Sequence, residues 1–216
     1  MTRTAISLPP ELAHRRQRVL RPRDLTDLYA HPRAEIARLT RSGVLHRLAN
    51  GYYALAPLGR LGDTRWVPEL KAAALGVGQA DYGVESVALM GISAAHIHGA
   101  IARRLASAVL AIPKQRPPLA AVGARIAFVK RDIAQLDLER TETELGAGWV
   151  TTVEQTALDL AARPTLGDIS VADAHEAIRA LTLRVDWPLL ANLASTQHRP
   201  AALATITTLT DRGPDA

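Results

Sequence analysis

Leu39-Thr40-Arg41-Ser42-Gly43-Val44-Leu45-His46-Arg47-Leu48-Ala49-Asn50-Gly51-Tyr52-Tyr53-Ala54-Leu55 is the stretch whose reading decides the fold of the first third of the chain. Gly43 stands where a helix ends on a left-handed residue. Val44 to Leu48 is a short strand candidate, and Tyr52-Tyr53-Ala54-Leu55 is its return. Asn50-Gly51 between them is the preferred dipeptide of a two-residue type I′ hairpin turn.

Upstream of this stretch, His31-Pro32 opens a helix with Pro32 at the tolerated first position and Ile36 and Leu39 on one apolar stripe. Asp24 is placed to cap a shorter helix carrying Leu25 and Leu28 to about Tyr29. Residues 9–20, opened by proline and broken at Arg21-Pro22-Arg23, predict a first helix. Three helices, short connections and one hairpin make the winged helix-turn-helix layout, expected over residues 1–60.

Downstream the periods mix. Residues 66–80 read as helix and 86–90 as strand, and Ser93 is placed to cap a short helix through His98. Strands are expected at 108–112 and 125–129, parted by Pro113, Pro117 and Pro118, and again at 138–145 with a return near Trp149-Val150. Thr152 and Gln155 form a capping-box pattern before another helix. From Val171 the chain reads as two or three helices, and residues 213–216 are expected to fray. The predicted fold class is therefore α+β: an N-terminal winged helix-turn-helix, then a mixed α/β domain over 61–216 with a helical C-terminal tail.

Composition narrows the functional classes. Of 216 residues 48% are hydrophobic, enough to bury a core. No run approaches the roughly 20 apolar residues of a membrane helix, and the segment from Met1 to Ile6 lacks the apolar core of a secretory signal. A cytoplasmic protein without a membrane partner is expected. The absence of cysteine excludes disulfides, thiolate metal sites and thiol nucleophiles. Residues 1–65 hold twelve Arg and no Lys against five acids, a net of +7, whereas the whole chain carries only +5. A basic front joined to a near-neutral back is the footprint of a module that meets a polyanion.

In a winged helix the third helix enters the major groove, so Arg33, Arg38 and Arg41, off the Ile36/Leu39 stripe, are the first candidates for DNA contact. Arg suits both base and phosphate, because its fork can take guanine O6 and N7 or straddle a phosphate. His31 lies near the helix start, Arg47 and Asn50 belong to the hairpin, and Arg21 and Arg23 add backbone contacts. Enzyme signatures are missing. Lys114 and Lys130 lack the acid two residues earlier that a common nuclease arrangement supplies, since Ile112 and Phe128 stand there. Asp137, Glu139, Glu142 and Glu144 read as one exposed strand face. His96 and His98 diverge by about 200° on a helix, unlike the four-residue spacing of zinc helices. Asp159 reads equally well as a helix-surface charge or a functional acid. No enzyme activity and no cofactor are expected.

The segment from Leu39 to Arg47 followed by Gly51-Tyr52-Tyr53-Ala54 resembles the N-terminal domain of AbiEi-type antitoxins. The likeness continues, in order, through Ser93-Ala94-Ala95 with His98-Gly99, Ile112-Pro113, and Thr151 to Leu160, covering roughly residues 20–163. It implies the antitoxin half of a type IV toxin-antitoxin pair. Such a protein binds inverted repeats in its own promoter, represses its operon, and opposes a nucleotidyltransferase toxin without a tight complex. The alternatives are a ligand-responsive regulator without a toxin and a metal-dependent nuclease.

Overall fold

Burial of Ile36 and Leu39 organises the front of the molecule, in a computed structural model that describes residues 8–15 and 17–211. The expected fraying of residues 213–216 lies outside them. The chain opens with α1 (Pro10–Ala13) and β1 (Val19–Leu20), and a 3-10 turn over Pro22–Leu25 precedes α2 (Pro32–Arg41). The hairpin β2 (Leu45–Ala49) and β3 (Tyr52–Leu55) follows, and β1 joins it to give the order β1-β3-β2.

Two of the expected front helices are reduced. The helix predicted over 9–20 is one turn, and its last two residues are the strand that pairs Val19 with Ala54 and Leu20 with Tyr53. Val19 and Leu20 are a β-branched and a branched residue buried on opposite faces, a strand pattern that the surrounding arginines obscure. Asp24 caps no α-helix: its carboxylate accepts the Arg21 N–H at 2.8 Å within the 3-10 turn.

Gly43 has the expected left-handed φ of +69°, and a Cβ there would lie 2.9 Å from the Gly62 backbone, so the exit angle of α2 depends on its lacking one. The turn differs from expectation. Asn50 does not have a positive φ and only Gly51 is left-handed, which excludes type I′. A bulge supplies the twist instead: Arg47 pairs with Tyr53 and Ala49 with Tyr52, leaving Leu48 as the extra residue.

The second sheet is built from β4 (Ala88–Leu89), β5 (Ser107–Ile112), β6 (Leu119–Ala121), β7 (Ala124–Lys130), β8 (Leu138–Thr143) and β9 (Gly146–Thr151). Its order is β6-β7-β5-β4-β9-β8, with β5/β7 and β4/β9 parallel. Between the two sheets runs α3 (Leu70–Tyr82), which starts after the expected residue 66. Nine successive residues, Ala72 to Ala80, are buried because sheets cover the helix from both sides. Its small residues follow from that squeeze: a Cβ on Gly76 would meet Val19 of the front sheet at 2.3 Å, and one on Gly78 would meet Leu110 of the large sheet at 2.3 Å.

The far face of the large sheet, through Val109, Ala111, Ala127 and Val129, packs on α5 (Val153–Ala162), α6 (Val171–Thr182), α7 (Trp187–Thr196) and α8 (Pro200–Asp211). α4 (Ile92–Ile97) covers one end, and its Ser93 is an interior residue whose hydroxyl accepts the Val109 N–H, not a cap. The Thr152 hydroxyl does accept the Gln155 N–H, but the Gln155 side chain turns to Asp137, Asp159 and Gln197, so the cap is one-sided. Glu139 and Glu142 fall on opposite sides of β8 by alternation, and Glu144 bonds the Glu69 N–H, so the acids do not form one face. The protein is thus α+β. Val19, Leu48 and Ala54 of the front sheet share one core with α3 and the large sheet, so hydrophobic packing continues across residue 60.

His46 in β2 is buried with its ring edge-on to Trp66 at 4.9 Å. Burial holds its pKa below the ordinary value, against the opposing pull of the Gly43 backbone and Asp63. His96 is lowered in the same direction by burial and by Lys71. A lowered folded pKa means the unfolded chain takes up the proton first. Stability is therefore complete above about pH 6.5 and falls as pH drops from there toward the folded values. Thermal melts between about pH 8 and 5.5 should show this decline, and His46→Gln should reduce its slope.

Candidate nucleic-acid interface

α2 leaves the core stripe of Ile36 and Leu39 with Ala34, Ala37, Arg38 and Arg41 on the opposite side, all exposed. Arg33 is exposed on the flank of that face. Arg38 is held by Glu35, one turn earlier, at 2.5 Å, a solvent-exposed pair that a phosphate can displace. Among the described residues Arg41 makes only a long contact, 3.4 Å to the Ala37 carbonyl. Two alanines between these arginines keep the helix surface low, so a groove floor can approach its backbone.

At the start of α2, His31 is the N-cap and offers no side-chain hydrogen bond, and Pro32 has no N–H. The first-turn amides therefore point out uncapped, with the positive end of the helix dipole behind them. They open onto a cleft of about 930 Å³ between the 3-10 turn, the start of α2 and the hairpin turn. Arg21, Arg23, His31, Arg33 and Asn50 line this cleft together, five of the eight residues singled out from the sequence. Arg38 and Arg41 stand on the adjoining helix face. Arg47 lies on the other side of the hairpin, with Nη2 at 3.5 Å from Asn50 Oδ1.

Arg21 is a different case. Its side chain is 17% exposed and lies between Asp24, at 2.9 Å, and Asp81 of α3, at 2.6 Å. Burial pulls its pKa down, but the hydrogen bonds to the two carboxylates outweigh this and raise it. Asp81 also accepts from the Tyr52 hydroxyl at 2.6 Å and from Arg116, whose guanidinium stacks 4.5 Å from the Phe128 ring centroid. Arg21 is consequently committed to joining the front sheet to α3 and shapes the cleft wall. Arg23, 70% exposed and 3.9 Å from Asp81, keeps its guanidinium available. Tyr52, Asp81 and Arg116 were missed from the sequence, because the three come from separate stretches that only folding brings together.

Asp159 and His98 of the rear half are tied into the fold. Asp159 is buried beside Arg199, neither a surface charge nor open to a substrate. The His98 ring contacts the Thr151 carbonyl at 2.7 Å. Among the described residues no group of three or more His, Cys, Asp and Glu could hold a metal ion, and no helix is long and apolar enough to cross a membrane. Set against models of known protein families and against curated proteins, the chain matches none.

Proposed function

We propose that this chain is a DNA-binding autorepressor of the antitoxin type, with a winged helix-turn-helix as its reading head. The observation that carries the proposal is the exposed Ala34/Ala37/Arg38/Arg41 face of α2, continuous with an uncapped helix start that shares a cationic cleft with a hairpin turn. In this reading α2 lies in the major groove. Arg33, Arg38 and Arg41 meet base edges and flanking phosphates, and the first-turn amides take a phosphate. Arg23 and His31 line the backbone from one side, and Arg47 and Asn50 from the hairpin. Arg21 acts by positioning.

The antitoxin part of the proposal rests on the ordered resemblance to AbiEi-type antitoxins over residues 20–163. It comprises inverted repeats in the promoter, negative autoregulation, and opposition to a nucleotidyltransferase toxin without a stable complex. Rescue of a neighbouring nucleotidyltransferase's toxicity separates this reading from a plain regulator with the same reading head.

The DNA-binding claim is tested by mobility-shift titration of the full chain on its own upstream DNA. Affinity should fall steeply with salt, with a log-log slope of about −0.9 per phosphate contact. Arg38→Ala with Arg41→Ala should weaken binding by roughly 30-fold or more and make the slope shallower by about one for each phosphate no longer neutralised, with unchanged melting. Undiminished binding by that double variant would refute the assignment of α2.

A further inference from the structure

At the other end of α3 from the cationic cleft lies a cavity of about 440 Å³, lined by the start of α3, α4, the α4–β5 connection and the β6–β7 turn. Small-molecule sites commonly span roughly 300–1,000 Å³, with apolar walls and a few polar groups that fix orientation. Leu70, Leu105, Ala108 and Val122 supply apolar wall here, and Lys71, His96 and Arg104 supply basic groups. The one acid among the lining residues, Glu69, already rests on Lys71 at 2.9 Å with most of its side chain in solvent. Lys71 thus sits at a position that receives a carboxylate. Arg104 is exposed and has no carboxylate partner among the described residues.

The β6–β7 turn that closes this cavity is strained. Val122 is β-branched and has a φ of +46°, a region such residues rarely adopt. What holds it is a contact with the hairpin: the Val122 N–H donates to the Leu48 carbonyl at 2.9 Å. Leu48 is the bulge residue of β2, next to Arg47 and two residues from Asn50. The cavity wall is therefore bonded to the hairpin at the point where its ladder is irregular.

We infer that this cavity binds a small carboxylate with an apolar body, its charge on Lys71 and Arg104, and that occupancy is transmitted to the hairpin through Val122. Only the consequence for DNA rests on the proposed function. The site is built to take the ligand's charge at the rim and its hydrocarbon inside, since a charged group buried without partners would oppose binding.

Calorimetric titration of the full chain with hexanoate, octanoate and phenylacetate, each against its primary amide, tests the site without DNA. At least one carboxylate should saturate, with its amide bound roughly tenfold or more weakly. Ala102→Trp, an exposed position at the mouth, should abolish binding with the melt unchanged. Lys71→Gln with Arg104→Gln should remove the preference for carboxylate over amide. No saturable binding by any of the three carboxylates, equal binding of amides, or full binding by Ala102→Trp would each overturn the site.

For the coupling, the Arg47 and Asn50 backbone amide resonances should shift in step with saturation by that carboxylate, and Val122→Gly should bind it while losing those shifts. Still resonances in the saturated wild type would overturn the coupling. With DNA present, affinity should change about threefold or more in the wild type and not in Val122→Gly. An unchanged wild-type affinity would overturn transmission to DNA, whereas failure of the ligand-free chain to bind DNA would count against the proposed function alone.

Discussion

Replacing Asp81 with alanine should lower the stability of this protein by about 2–4 kcal/mol, a fall in melting temperature of roughly 5–15 °C for a chain of this size. The reason is the number of groups that converge on one carboxylate. Arg21 and Arg116 donate to it, as does the Tyr52 hydroxyl, and the carboxylate is only 13% exposed. Removing it leaves two guanidinium groups, 17% and 24% exposed, facing each other across an emptied site. Their residual contact with water keeps the expected loss below that of a fully buried pair. Asp81→Asn retains an acceptor without the charge and should fall between wild type and alanine. Arg21, Tyr52 and Asp81 line the cleft at α2, so under the proposed function the alanine variant should also bind upstream DNA less tightly where it remains folded. A melt within about 2 °C of wild type would show that the front sheet and α3 are not joined through this carboxylate.

Asp159→Ala should have an effect of similar or greater size, about 3–5 kcal/mol, by a different route. Asp159 lies on α5 with its side chain 1% exposed, bonded by Arg199 at the head of α8 at 2.7 Å and by Gln155 at 3.3 Å. Burial pushes its pKa up, while Arg199, Arg131 and Gln155 pull the other way, and burial prevails. Among the described residues Oδ2 has no hydrogen-bond partner, nor has Arg131 Nε. A pair in this condition has its desolvation cost poorly offset, so it gives little net stability while each charge depends on the other. Removing one member should therefore be severe. Removing both with apolar side chains of similar size, Asp159→Leu with Arg199→Met, should lose much less than the single change. A double variant as damaged as Asp159→Ala would mean that the ion pair itself holds α8 in place.

The parts of this molecule readable in the sequence are those set by short-range chemistry. Pro32, the Ile36/Leu39 stripe and Gly43 fall within one helix and its end, where backbone sterics and a 3.6-residue period decide the outcome. The central strands at 108–112 and 125–129 are equally legible, because burial on both faces leaves unbroken apolar runs at 108–112 and 126–129. The edge elements were not. Val19 and Leu20 became a strand because β3 offered a free edge, which local pattern cannot announce. Asn50-Gly51 favoured a type I′ turn, and a bulge at Leu48, tied to the distant Val122, provided the geometry instead.

The same division runs through the candidate sites. Arg23, Arg33, Arg38 and Arg41 could be named from the sequence because exposure opposite an apolar stripe is a helical property, and they are exposed. Arg21 looked like its neighbours, and only the approach of α3 turned it into a partner of Asp81. Sequence alone determined which segments are helices or strands in the interior and where the positive charge lies, since both follow from residue type and local period. Tertiary structure decided which charges remain free, why α3 must be small on both sides, and where a cavity meets the hairpin. Those outcomes depend on side chains tens of residues apart being pressed together, and no local spacing encodes that pressure.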